Sequence, residues 1–144
     1  LYSSKGHFAA AHFWGNFHFW IGIPIVLLSA IAGAAALVPF DPGHLVAGSL
    51  SILVAAMSAV ATFLNANEKV GAHLKAGNSY DALMNNVKIF RAIECWTDES
   101  DQVLTERLKH FSEKKNNLNH TSPQIPIGAY RTAKKGRLNH KEAK

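Results

Sequence analysis

Phe17-His18-Phe19-Trp20-Ile21-Gly22-Ile23-Pro24-Ile25-Val26-Leu27-Leu28-Ser29-Ala30-Ile31-Ala32-Gly33-Ala34-Ala35-Ala36-Leu37-Val38 is apolar on every side of a helix. It lies in a longer run, Gly6 to Phe40, that holds no Asp, Glu, Lys or Arg, and Pro42 to Asn67 is a second such run. The hydrocarbon core of a bilayer, ~30 Å thick, is crossed by ~20 helical residues. Each run therefore holds one candidate span, at 17–38 and at about 45–64. A surface helix of a soluble protein would show a polar face, and a soluble bundle built on two such segments would have little chain left to wrap them. A cleaved leader is the weaker explanation, because the apolar run is too long and a second one follows it directly. The expected fold is an all-α membrane protein, a two-span transmembrane helical hairpin continuing into a cytoplasmic helical bundle.

The overall composition hides this division, since a mean hydropathy of zero averages two unlike halves. Up to Asn67 the only full charges are Lys5 and Asp41, whereas Glu68 to Lys144 carries fourteen Lys or Arg against nine Asp or Glu. The expected divisions are 1–67 for the membrane hairpin, 68–121 for a cytoplasmic helical hairpin, and 122–144 for a Pro-containing extended segment and basic tail. At 144 residues too little chain remains outside the bilayer for a large enzyme core.

Between the spans, Pro39 is expected to end the first helix and Asp41-Pro42 to open the second, as cap and first helical residue. The outer turn holds one Asp and no Lys or Arg, while Lys5, Lys69 and Lys75 flank the other ends. Positive residues favour the cytoplasmic side, which places both termini there. His12, Phe13, Trp14, Phe17, His18, Phe19 and Trp20 then form an aromatic collar at the inner interface. Pro24 leaves the Trp20 carbonyl without its helical donor, and a kink is expected there.

Ser51, Ala55, Ser58, Thr62 and Asn65 share one stripe of the second span. Such a stripe either meets another helix, where small and hydroxylated residues allow close approach, or lines a wet lumen in an oligomer. Phe17 and Phe63 are candidate constrictions of such a lumen, though interface aromatics have the same spacing. Beyond the second span no stop signal is evident, so Leu64 to Trp96 is expected to continue as one helix, weakened at Gly71 and Gly77, with Tyr80, Leu83, Val87 and Phe90 along an apolar stripe. Thr97 to Asp101 reads as a capped turn, Leu104, Leu108, Phe111 and Leu118 as the stripe of a third cytoplasmic helix packing back on the extension, and 121–126 as extended chain because of Pro123 and Pro126.

Phe63-Leu64-Asn65 running into Glu68-Lys69, then His73-Leu74-Lys75-Ala76-Gly77, Tyr80 and Ala82-Leu83, followed by Ile125-Pro126, Tyr130 and Ala133, resembles the SLATT domain family. The order of these short motifs after a two-span hairpin covers nearly the whole chain. The resemblance implies a pore-forming effector of the bacterial inner membrane, acting in anti-phage defence beside a nucleotidyltransferase, whose opening arrests or kills the host cell. It implies a nucleotide or oligonucleotide second messenger as the signal. Many relatives carry basic residues ahead of the first span, where this chain has only Lys5, so contacts made by that segment are not carried over. The expected assembly is a homo-oligomer in the lipid bilayer, a tetramer.

From Arg131 onward six basic residues face one acid, Glu142, and these account for the whole net charge of +5. Two readings stand side by side. The tail lies on anionic headgroups, at ~1 kcal/mol per basic residue near the surface, or Arg131, Lys134, Lys135 and Arg137, with Tyr130 as a stacking surface and Lys88 and Arg91 joining from the cytoplasmic helix, bind nucleotide phosphates. His7, His12 and His18 are five and six apart, which does not place successive imidazoles on one face, so they read as interface histidines and not as metal ligands. Cys95 is alone and consistent with a reduced compartment. With no phosphate-binding glycine loop, nucleophile elbow or paired carboxylates, neither an enzyme nor a cofactor is expected. A non-conducting membrane anchor for a signalling partner is the alternative function, and a soluble helical module the alternative fold.

Overall fold

The computed structural model describes residues 2–37, 42–97 and 99–142, with side chains left out at 2, 94 and 135–142. Every element among them is helical: α1, Tyr2–Leu37; α2, Gly43–Leu64; α3, Ala66–Ala92; a single 3-10 turn, Glu94–Trp96; α4, Asp101–Thr121; and α5, Ile127–Glu142. Two of these helices are long and apolar enough to cross a membrane. Neither buries more than a trace of its apolar window within the protein, which is the opposite of a core helix in a soluble bundle.

The helices group into two compact units, residues 13–69 and residues 1–12 with 70–144. The sequence boundary at residue 67 set the first twelve residues with the spans, and packing groups them with the polar body. The cause is side-chain size. Ser4, Gly6, His7, Ala10 and Ala11 make one face of α1 narrow and buried, so neighbouring helices approach closely.

In the 13–69 unit, α1 runs unbroken through Pro24. Ala32 of α1 and Gly43 and Ala47 of α2 are buried, small residues that permit close helix contact. At the other end of the unit, His18 borders the same pocket as Ala61, Thr62 and Asn65. The Lys69 ammonium sits 4.0 Å from the centre of the Trp14 ring, a cation–π contact. Trp14 in turn meets Phe13 and Phe17 edge to face, while Phe19 and Trp20 are 60 % and 72 % exposed.

Three sequence expectations change here. The second helix does open near Pro42, but Pro42 is the cap and Gly43 the first helical residue; the Pro42 carbonyl accepts the first bond, from Val46 N at 3.1 Å. Asp41 and the rest of the turn, 38–41, lie outside the described residues. The helix expected from Leu64 to Trp96 is two. Asn65 breaks it in the left-handed conformation, φ 42° and ψ 56°, its N–H shared between the Ala61 and Thr62 carbonyls at 3.2 Å each. Asn tolerates this region because its short amide bonds locally; here Nδ2 donates to Glu68 Oε2. Its carbonyl accepts from Lys69 N, and α3 starts at once. At the far end α3 stops at Ala92. Finally, the chain is extended only over 122–126, and the tail beyond it is the helix α5. The Pro126 carbonyl accepts from Tyr130 N at 3.0 Å, which starts the turn that Gly128, Thr132 and Gly136 disguise in the sequence.

In the polar unit, α3 and α4 meet through part of the expected stripes, while Val87 and Leu108, at 37 % and 58 %, are exposed. Phe90 meets Phe111 edge to face at 5.4 Å, and Leu83 and Phe90 are buried. Pairings of 80 with 119 and 90 with 111 run the two helices in opposite directions. On α5, Ala129 is buried at 4 % exposed.

Candidate functional site

A cleft of about 380 Å³ opens in the polar unit, lined by Ser3, Tyr80, Leu83, Met84, Val87, Lys88, Arg91 and Lys115. Lys88 and Arg91 stand three apart on α3, hence on one face. Lys115 reaches the same space from α4. No carboxylate lines the cleft, and none of the three cations forms an ion pair among the described residues. Three like charges around an apolar floor of Leu83, Met84 and Val87 make a place where a bound anion would relieve repulsion.

One wall is held rigid. The Tyr80 ring stacks on His7 with centroids 5.5 Å apart, and its hydroxyl donates to Asn119 Oδ1 at 2.8 Å. Behind Tyr80, His7 Nδ1 and His73 Nδ1 are 3.0 Å apart, so one ring donates its N–H and the other accepts. The two histidines are only 2 % and 3 % exposed. His7 therefore differs from the expected interface residue: Gly6, Ala10 and Ala11 draw its stretch of α1 into the polar core, and its imidazole is tied to α3. Burial lowers the pKa of both rings, and the neighbouring His73 adds to the lowering of His7.

The residues expected to bind phosphate divide between two places. Lys88 and Arg91 share the cleft, where Lys115, Tyr80 and Ser3 join them. Tyr130, Arg131 and Lys134 are exposed on α5 and do not line it. Lys135 and Arg137 have helical backbones, and their side chains lie outside those described. Sequence reasoning missed Lys115 because nothing in a polar helix marks one lysine among several, and it read Tyr80 only as core.

On α2, Ser51, Ala55, Thr62 and Asn65 are exposed and Ser58 is half-buried. The side chains of Ser51, Ser58 and Thr62 make no hydrogen bond among the described residues. Asn65 serves as the joint between α2 and α3. Of the two candidate constriction residues, Phe63 is 89 % exposed, whereas Phe17 is half-buried against Trp14. Among the described residues no three His, Cys, Asp or Glu side chains gather as a metal site.

Searches of protein-family models, curated proteins and solved structures give no match to this chain. The likeness to SLATT proteins thus stands on the residues quoted for it.

Proposed function

We propose that this chain is a pore-forming membrane effector: a two-span transmembrane hairpin that assembles with copies of itself, conducts ions and is controlled by a nucleotide or oligonucleotide signal bound on its cytoplasmic body. The observation that carries the reading is the row of unbonded hydroxyls on α2. In hydrocarbon an unsatisfied polar group costs several kcal/mol, so Ser51, Ser58 and Thr62, without partners among the described residues, call for another copy or for water. An oligomer with these residues turned toward its axis supplies both. The nearly unburied apolar spans supply the surface that meets lipid and neighbouring subunits.

On this reading the protein sits in a bacterial inner membrane with both termini cytoplasmic, and a partner nucleotidyltransferase makes the signal, as the SLATT likeness implies. It performs no catalysis of its own. The test is ion flux from liposomes reconstituted with the full chain, with and without cyclic nucleotides and short oligonucleotides. Flux switched by a nucleotide supports the proposal. Inserted, oligomeric protein that passes no ions under any condition overturns it and favours the anchor.

A further inference from the structure

The charged cleft of the polar unit differs from an ordinary solvated face in three respects. Its cations come from two helices, Lys88 and Arg91 from α3 and Lys115 from α4, and all three line one space. Among the described residues its walls hold no acid, whereas an acid three or four positions from a lysine on a helix would pair with it. Its floor is apolar, Leu83, Met84 and Val87, and Leu83 is only 7 % exposed. The ligand that answers all three is amphiphilic: an anionic head for three cations and an apolar or planar body for the floor.

The volume narrows the class. About 380 Å³ lies at the lower end of the range of small-molecule pockets, so it admits a mononucleotide-sized compound or a lipid headgroup with its first carbons. Guanidinium donates a planar pair of N–H groups to phosphate oxygens, and the two ammonium groups add charge without fixed direction. Ser3 offers a hydroxyl at the rim. Tyr80, pinned by His7 on one side and Asn119 at its hydroxyl, is a pre-ordered wall.

We infer that this cleft, and not the basic α5 helix, is the primary binding site for a phosphate ester that carries an apolar or planar body. The inference rests on the proposed nucleotide control in that it names where such a signal would dock. A free nucleotide and an anionic phospholipid headgroup share the required chemistry. α5 presents Arg131 and Lys134 on an exposed surface, and neither lines the cleft.

The test uses the full chain in phosphatidylcholine nanodiscs, with trinitrophenyl-ATP as the fluorescent probe. Replacing Lys88, Arg91 and Lys115 together by Gln should weaken probe binding at least tenfold, while Arg131→Gln with Lys134→Gln should change it less than twofold. The cleft cations are exposed side chains, so the triple variant keeps its fold, checked by helical circular dichroism. A milder Arg91→Lys variant should retain charge yet lose part of the affinity through its lost planar pair. Repeating the titration in discs containing phosphatidylglycerol separates the sources: suppression of probe binding assigns the cleft to a lipid headgroup, and undiminished binding assigns it to a soluble phosphate ester. Wild-type protein that fails to bind the probe in phosphatidylcholine, or equal losses in the cleft and α5 variants, overturns the inference. Ion flux measured on the same proteins distinguishes the two readings. Binding lost in the cleft variant without flux in any sample leaves the cleft standing and removes the pore; flux with unchanged binding in the cleft variant does the reverse.

Discussion

His7 and His73 form a neutral pair that acid disrupts. At 3.0 Å the Nδ1–H of one ring is given to the lone pair of the other, and two protonated rings would aim N–H at N–H. No carboxylate bonds to either ring among the described residues; the titratable group against the pair is Tyr80, stacked on His7. Both rings hold protons less readily here than at their ordinary value of 6.5, so in acid the unfolded chain binds more protons than the folded one. By linkage, the contribution of the pair is complete above about pH 6.5 and declines as pH falls below it. The expected result is a melting temperature that drops between pH 7.5 and pH 5.5. His73→Phe should start from a less stable baseline and lose less over the same interval, and equal slopes for both proteins would refute the role of the pair.

Among the helices, two glycines of α3 have opposite meanings. Gly71 has open space where a Cβ would stand, whereas a Cβ on Gly77 would fall 2.9 Å from the Phe8 ring. Gly71→Ala should raise stability by roughly 0.5–1 kcal/mol through helix propensity alone. At Gly77 the same gain is opposed by overpacking that costs about 1–3 kcal/mol, so Gly77→Ala should lower stability. Thermal unfolding of the two variants in one detergent checks the pair, and a rise for both would mean that Phe8 yields freely. As a sequence feature each glycine reads alike, a weak point in a helix. Only the partner brought opposite distinguishes them, and Phe8 is far away along the chain. The joint at Asn65 is different, since an Asn that closes a long apolar run is a local signal; it is the neighbouring helix-compatible residues, Ala66 to Val70, that make the run look continuous.

At the scale of the whole molecule, the α2 stripe is where the proposed assembly is tested. In a chain whose exposed Cys95 is replaced by Ser, a cysteine at position 51 or 62 should form intersubunit disulfides in native membranes under mild oxidant, and Leu53→Cys, on the other side of the helix, should not. Amine crosslinking of the same membranes should end at four copies. Disulfides at 53 in preference to 51 and 62 would turn the stripe toward lipid and remove the proposed lumen.

The sequence by itself determined that this protein is helical and that two of its segments suit a bilayer, because charge depletion over some twenty residues is a local property that needs no partner to be read. The stripes of α3 and α4 were legible for the same reason, being periodic. What only the tertiary structure decided is which distant residues meet. The first turns of α1 meet α3 at His73, Tyr80 and Gly77 and approach Ile125 at Gly6, and Lys115 joins Lys88 and Arg91 around one cleft. Those meetings depend on small residues that set helix separations, and no spacing within a single helix encodes what another helix will bring to it.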